Sequence, residues 1–217
     1  MKEAEAIRTS LNSAYPDLEE ISKWLDNSCR KLALESVNWV DFDYKPEVFF
    51  TIAYSRFEIF LKFYVTENHF KAEKTESNQK VYEDSCVEFF VSPGNDGIYY
   101  NLEFNGIGTC LLGSGTGRAD NKLADNEVIS QIRRLCSAGK HPIKEKEGEY
   151  FWTITIAIPS VIFYKHNIKE LKGEKFRVNF YKCGDKLSVP HYVTWNEVRT
   201  EKPDFHQPEY FGLLKFV

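Results

Sequence analysis

Hydrophobic and polar residues alternate along much of the chain with a period of two, which is typical of β-strands. Two such stretches, 48–54 and 57–65, are joined by Ser55-Arg56 and predict a hairpin. The same alternation predicts five further strands, at 86–92, 98–105, 150–158, 175–182 and 210–216. Several short strands separated by turn residues indicate an all-β fold, an antiparallel β-sandwich of the jelly-roll or immunoglobulin-like kind.

The period changes to that of a helix in two places. After Asp17, a suitable N-cap, apolar residues recur at helical spacing at Leu18, Ile21, Trp24 and Leu25. We therefore expect a helical N-terminal extension, residues 1–45, packed on a sandwich domain of residues 46–217. A second helical pattern within 119–135 predicts a short helical insertion between strands.

A glycine-rich stretch, Gly-Ser-Gly-Thr-Gly at 113–117, resembles a phosphate-binding loop only in its glycines. It lacks the Lys-Ser/Thr that follows in a P-loop and the glycine spacing of a dinucleotide-binding fingerprint. The stretch is expected to be a flexible connection.

Composition and charge indicate a folded protein and argue against a nucleic-acid partner and a membrane span. Aromatic residues make up 15% of the 217 residues and charged residues 28%, which suits a folded, strand-rich protein. The formal charge is −4 and no block of Lys or Arg occurs, so a nucleic-acid partner is not expected. The longest uncharged run, 150–164, is shorter than the roughly 18 apolar residues of a membrane span, so none is expected.

Cysteine usage and the first residues bear on localisation. The five cysteines form no CxxC pair and their odd number leaves one unpaired, which favours reduced thiols in a cytoplasm. No apolar stretch follows the first charged residues, so the sequence as given is expected to be cytoplasmic. Removal of a signal peptide would instead make the protein periplasmic or secreted.

Two predicted strands carry polar residues on one face. Alternation places Asn101, Glu103 and Asn105 opposite an apolar face in 99–105, and it places Arg177 and Asn179 likewise in 175–182. If the two strands belong to one sheet, its outer face carries amides, a carboxylate and a guanidinium. These groups would offer fixed hydrogen-bond donors and acceptors suited to the hydroxyl groups of a ligand. The alternative is an ordinary solvated sheet face. Asn is depleted in strands, however, so Asn101, Asn105 and Asn179 are expected to make an interaction that compensates for their low strand propensity.

Sugars also present flat faces of C–H groups, which stack on aromatic rings. Tyr82 and Trp195 both lie next to strand ends and turn-like sequence, where a ring can meet a ligand. The remaining tryptophans, Trp24, Trp39 and Trp152, fit core positions better. For Trp195, partial burial with its N–H bonded locally is an equal alternative.

Three motifs in order along the chain carry a resemblance to a known family. They are Val-Tyr-Glu-Asp-Ser-Cys-Val-Glu-Phe-Phe-Val at 81–91, Tyr-Tyr-Asn-Leu-Glu-Phe-Asn at 99–105, and Trp-Asn at 195–196 with Pro-Asp-Phe-His-Gln-Pro-Glu-Tyr-Phe-Gly at 203–212. Together they resemble the family 9 carbohydrate-binding modules, particularly their stand-alone bacterial relatives. The resemblance spans roughly residues 46–217.

The resemblance implies a β-sandwich that binds sugars without cleaving them. In this family two Trp side chains clamp a glucose or cellobiose unit at its reducing end. Tyr82 stands where the family commonly has the first Trp, and Trp195 is the best match for the second. The resemblance makes Glu88, Asn101, Glu103 and Asn105 their polar neighbours, to which strand alternation adds Arg177 and Asn179.

The implied function is non-catalytic binding of gluco- or xylo-configured mono- or oligosaccharides during the breakdown of polysaccharides such as cellulose or xylan. No cofactor is required, and the family implies that calcium can bind for structure. Asp84, Asp96 and Asp120 are its candidate ligands, without the spacing of an EF-hand.

Other functions stay open as alternatives. A glycoside hydrolase, or its accessory domain, would need two carboxylates about 5–9.5 Å apart on either side of a glycosidic bond, from among Glu83, Asp84, Glu88 and Glu103. A protein-interaction module could use the same face. The scattered histidines match no zinc motif. Related sandwiches bind haem, but Met1 is the only Met, so Met ligation is excluded and His ligation stays open.

Overall fold

The computed structural model describes residues 1–11, 13 and 15–217. The strands of this part of the chain are β1 (Glu3–Arg8), β2 (Leu32–Ala33), β3 (Ser36–Val37), β4 (Glu47–Tyr54), β5 (Glu58–Ala72), β6 (Cys86–Ser92), β7 (Tyr99–Asn105), β8 (Cys110–Gly115), β9 (Lys122–Leu123), β10 (Arg133–Cys136), β11 (Ile143–Pro159), β12 (Lys175–Cys183), β13 (Tyr192–Thr194) and β14 (Gly212–Phe216). The helices are α1 (Leu18–Ser28) and α2 (Asn126–Ser130), with 3₁₀ turns at Val81–Glu83, Ser160–Ile162 and Pro208–Tyr210.

The strands form two facing layers. One layer runs β10-β11-β5-β4 with β2 beside β4, and the other runs β14-β12-β6-β7-β8-β9 with β13 and β3 at one edge. All seven strands predicted from alternation are present, including the 48–54 and 57–65 hairpin, which pairs as β4 with β5. The predicted β-sandwich is therefore confirmed.

One strand departs from the predicted pairing. β1 lies between β4 and β14 and is parallel to both, so it joins the two layers into one continuous, curled sheet. The expectation of a wholly antiparallel sandwich is therefore wrong at this strand. A parallel partner comes from a distant part of the chain, and the alternation of a strand carries no sign of its neighbour's direction.

The N-terminal segment is helical only in part. Glu3 and Glu5 are exposed while Ala4 and Ala6 are buried, so the first residues form a strand although Ala and Glu favour helices. Helix α1 begins where predicted, and the Asp17 carboxylate accepts a hydrogen bond from the Glu19 N–H at 2.8 Å. The helical N-terminal extension is thus not found as such. The short helical insertion is α2.

Two clusters of buried side chains lie on opposite faces of the β6-β7-β12 layer. Between the layers, the rings of Phe50 and Phe180 stack with centroids 3.8 Å apart, and Phe89 stacks on Phe180 at 5.0 Å. On the outer face, a second cluster contains Tyr99 and Tyr181 and is covered by the segments around Trp39 and around 198–211. The outer face of this layer, which alternation predicted to be polar, is therefore covered by these two segments and is not an ordinary solvated face.

Among the described residues, no helix reaches the length and apolar character that crossing a membrane requires.

Candidate functional site

A pocket of about 170 Å³ lies on the outer face of β6, β7 and β12, under the roof formed by the C-terminal segments. It is lined by Tyr82, Glu88, Glu103, Arg118, Cys183, Asp185, Tyr192, Pro203, Phe205 and His206. A wider depression of about 440 Å³ lies beside β1, but no aromatic side chain lines it. The smaller pocket is the one that combines aromatic rings with buried carboxyl groups.

Two carboxyl groups form the floor of the pocket. Glu88 on β6 and Glu103 on β7 are directly paired in the sheet register, and both point to the outer face. They are 2% and 4% exposed. Asp185, just beyond the end of β12, adds a third carboxyl, whereas the guanidinium of Arg118 is paired with Asp204 at 2.7 Å. The pocket is therefore rich in acceptors and poor in free positive charge.

A chain of amides fixes the Glu103 carboxyl. The Asn101 amide donates to Glu103 Oε1 at 2.9 Å, and the Asn121 amide donates to Asn101 Oδ1 at 2.7 Å. A Cβ at Gly113 would lie 2.1 Å from Asn121 Oδ1, so glycine is required for this close approach. The second oxygen, Glu103 Oε2, is buried and has no hydrogen-bond partner in the described protein.

The glycine-rich stretch is thus not the flexible connection that the sequence suggested. Its first three residues, 113–115, belong to strand β8 and pair with β7. The glycines there make room for the asparagines behind Glu103, which explains why a run of small residues occurs in a buried strand.

Burial sets the protonation of these acids. It raises the pKa of Glu103 to about 7 and that of Asp185 to about 6. Burial, and then the neighbouring Glu103 carboxylate, raise the pKa of Glu88 well above its ordinary range. Near neutral pH the three groups can therefore both accept and donate hydrogen bonds, as hydroxyl-rich ligands require.

Aromatic rings form the walls. Tyr82 and Tyr192 are half-buried, and each presents part of its ring to the pocket. Phe205 is held by stacking on Tyr181 with centroids 4.1 Å apart. His206 bonds to the Tyr99 hydroxyl at 2.7 Å, and burial lowers its pKa to about 4, so it is uncharged.

A family model described as carbohydrate-binding family 9 matches residues 20–216. The chain belongs to carbohydrate-binding family 9. Membership confirms the predicted family and its non-catalytic carbohydrate binding. No curated protein matches the chain.

Solved structures similar to this family 9 chain include a proposed carbohydrate-binding protein from Bacteroides uniformis, 38% identical, with a TM-score of 0.96 over 100% of this chain and 99% of that one. Two family 9 modules from Caldicellulosiruptor kristjanssonii share its fold. The one in complex with glucose has a TM-score of 0.58 and 10% identity, and the match covers 100% of this chain and 96% of that one. The one in complex with cellotriose has a TM-score of 0.60 and 13% identity, and the match covers 99% of this chain and 93% of that one.

Of the eight site residues expected from the sequence, three line the pocket of this family 9 chain: Tyr82, Glu88 and Glu103. Asn101 stands directly behind them as the residue that orients Glu103. The sheet register brings these positions together because they lie on neighbouring strands β6 and β7 or just before them.

Three other expected residues hold the backbone instead of lining the pocket. Asn105 bonds Asp84 and the Lys74 carbonyl, Asn179 bonds the backbone of Asn196, and Arg177 donates to the carbonyls at 208 and 209. Each polar side chain has its partners in the protein. We therefore leave all three out of the proposed site.

Trp195 is also outside the pocket. Its ring lies in the core between the layers, is 3% exposed, and packs edge-on against Phe50 and Phe180. A Cβ at Gly212 would lie 2.5 Å from this ring, which shows how closely the chain surrounds it. A ring enclosed in this way offers no face to a sugar, so Trp195 is corrected from a stacking residue to a core residue.

Seven residues that line the pocket were not expected as site residues from the sequence: Arg118, Cys183, Asp185, Tyr192, Pro203, Phe205 and His206. Three of them lie on or beside the connection from β12 to β13. The Gly184-Asp185 turn at the end of a polar-faced strand was the available signal, because a strand end and its turn commonly carry binding residues.

The three candidate calcium ligands lie apart from one another. Asp84 accepts from backbone N–H groups at 73 and 74, Asp120 from those at 116 and 117, and Asp96 from that of Ile98. Among the described residues, none of the three belongs to a group of three or more carboxylate, His or Cys ligands. The three aspartates therefore form no shared carboxylate cluster, and structural calcium stays a prediction of the family resemblance.

Proposed function

We propose that the protein binds a gluco-configured sugar in the pocket floored by Glu88 and Glu103 and walled by Tyr82 and Tyr192. The unpartnered Glu103 Oε2 carries the proposal. A buried carboxylate oxygen without a donor is costly, and a sugar hydroxyl would supply the missing hydrogen bond. The carboxyl is already held by Asn101, so binding requires no rearrangement of the floor.

The walls favour a ring-shaped ligand with apolar faces. Tyr82 lies at the 3₁₀ turn before β6, and Tyr192 lies at the start of β13, so rings from two separate segments meet at one cavity. Stacking of sugar C–H groups on such rings complements the hydrogen bonds of the floor. A pocket of about 170 Å³ is below the roughly 300–1,000 Å³ of drug-sized sites, which favours one or two sugar units over a longer chain.

The position of the acids supports binding over hydrolysis. Glu88 and Glu103 are cross-strand neighbours on the same sheet face, so both reach a ligand from below. A glycosidase needs its two carboxylates on either side of the scissile bond. We therefore propose no cleavage of O-glycosyl bonds.

The choice of sugar follows two supporting observations. The solved family 9 modules are complexes with glucose and with cellotriose. The pocket also holds three carboxyl groups, each able to accept from hydroxyls on adjacent carbons. Glucose and cellobiose are the first ligands we propose, with xylose and xylobiose as the alternatives that lack the hydroxymethyl group.

Calorimetric titration with glucose, cellobiose, xylose and xylobiose tests this proposal. We expect saturable 1:1 binding of glucose or cellobiose, tighter than that of the pentose sugars, and no release of aryl aglycone from aryl glucosides. The Phe151→Ala variant is the control, since this exposed ring lies in a different depression, with Phe70 and Trp152. Absence of binding by all four sugars at millimolar concentration, or turnover of the glycosides, would contradict it.

A further inference from the structure

We infer that Cys86, Glu88 and Cys183 form a binding site for a thiophilic divalent cation such as Zn²⁺ at the floor of the pocket. Cys86 and Cys183 are directly paired across strands β6 and β12. Glu88 follows Cys86 by two residues, so its side chain lies on the same face of the sheet. The register therefore brings two thiols and a carboxyl together on rigid strands.

The distances fit one ion. The ligand atoms of the three residues all lie within 4.8 Å of one another. Glu88 Oε1 is 3.1 Å from Cys183 Sγ and 4.0 Å from Cys86 Sγ. Zinc bonds of about 2.3 Å to sulfur and about 2.1 Å to oxygen place tetrahedral ligand atoms about 3.6–3.8 Å apart. Small side-chain rotations suffice to reach that geometry.

A metal ion would supply the positive partner that the buried Glu88 carboxyl lacks. Glu88 is 2% exposed, and among the described residues no Lys or Arg forms an ion pair with it. Arg118 lines the pocket, but its guanidinium pairs with Asp204. Buried carboxylates are normally paired with a positive group or a metal ion. Among the described residues, the Glu88 carboxyl accepts side-chain hydrogen bonds from the thiols of Cys183 and Cys86, at 3.1 and 4.0 Å, and from no cation.

The ligand types select the metal. Thiolate ligands favour zinc and related soft ions over calcium and magnesium, which prefer oxygen. On binding, each thiol, and the Glu88 carboxyl where it is protonated, releases its proton to solvent as the ligand atom bonds to the ion, and no electron is transferred. Three protein ligands leave a fourth position of a tetrahedral ion. Glu88 and Cys183 line the pocket, so an ion can enter from it.

Cobalt titration of the reduced, chelator-treated full-length protein tests this site, because Co²⁺ bound to thiolates gives a charge-transfer absorption that aqueous Co²⁺ lacks. We expect the band to saturate at one Co²⁺ per chain and to be displaced by Zn²⁺. It should be lost in Cys86→Ser and Cys183→Ser. Cys110→Ser is the matched control, because it places the same hydroxyl at another fully buried strand position, and it should keep the band.

Absence of the band in the reduced protein would overturn the inference, as would an equal band in Cys86→Ser or Cys183→Ser. Circular dichroism spectra of the variants show whether they fold, and Glu88→Gln supplies a further variant that keeps both thiols. For this variant we expect at least tenfold weaker Zn²⁺ binding, and unchanged affinity would count against the site. Sugar titration in chelator is a separate measurement, so the two proposals can fail independently.

Discussion

The Glu103→Gln variant is expected to bind glucose or cellobiose at least tenfold more weakly than the unmodified protein. The substitution keeps the shape of the side chain and its contact with Asn101, but it replaces the unpartnered oxygen by an amide nitrogen. A hydrogen bond to a charged acceptor contributes about 1.5–3 kcal/mol, which corresponds to roughly 10- to 150-fold in affinity. Isothermal titration calorimetry at a constant pH well above the Glu103 pKa of about 7, where this carboxyl is ionised, measures the difference.

Two controls separate the site from the fold. Glu149→Gln makes the same chemical change on an exposed part of β11, outside the pocket, and should leave the affinity unchanged. Trp195→Phe trims a core ring and should lower the free energy of unfolding by about 1–2 kcal/mol without changing the affinity. Equal affinity in Glu103→Gln, or a large loss in Glu149→Gln, would remove Glu103 from the binding site.

The Lys182→Met variant is expected to lose about 3–5 kcal/mol of unfolding free energy. Lys182 Nζ lies 2.8 Å from Glu67 Oε2, and both side chains are completely buried. The Trp152 indole N–H donates to Glu67 Oε1 at 2.6 Å. Removal of one partner of a buried ion pair leaves the other charge uncompensated in the protein interior.

A neutral histidine completes this cluster. His191 Nε2 lies 2.7 Å from Lys182 Nζ, and burial, then the Lys182 charge, lower the pKa of His191 well below its ordinary range. His191 therefore accepts from the ammonium and does not compete with it as a second cation. Lys182 also donates to the Cys183 carbonyl at 2.9 Å. The cluster thus fixes the end of β12, from which Cys183 and Asp185 reach the pocket.

Urea denaturation at neutral pH measures the loss, and Lys62→Met is the matched control. Lys62 is also a strand lysine with a buried side chain and an ion pair at 2.8 Å, but its partner Asp26 is 42% exposed. Water can solvate that carboxylate, so we expect a smaller loss, of about 1 kcal/mol. The double variant Glu67→Gln/Lys182→Met should recover part of the stability. Equal losses in the two single variants would contradict the role assigned to burial.

Strand alternation predicted the faces of the central strands because side-chain direction along a strand is a local property. In β7, Tyr100, Leu102 and Phe104 pack in the main core while Asn101 and Glu103 face outward. Glu88 was expected beside Glu103 from the family resemblance and not from alternation, and the observed pairing of β6 with β7 brings the two side chains together.

The covering of the polar face and the positions of several pocket residues could not be predicted, because they depend on contacts between segments that are distant in the sequence. The roof over β6 and β7 comes from residues around Trp39 and 198–211, and nothing in β7 itself indicates that its polar face is covered. Trp195 looked like a loop residue because Val-Thr-Trp-Asn reads as a strand end, yet the ring turns inward onto Phe50 and Phe180. Tyr192 and Asp185 enter the pocket through the β12–β13 connection, whose path the local sequence does not determine.

A crystal structure of the protein soaked with glucose or cellobiose tests the central claim most directly. The account predicts a sugar ring against Tyr82, with a hydroxyl oxygen within about 2.5–3.0 Å of Glu103 Oε2. A sugar bound elsewhere with the pocket empty, such as at the exposed Phe151, would contradict it.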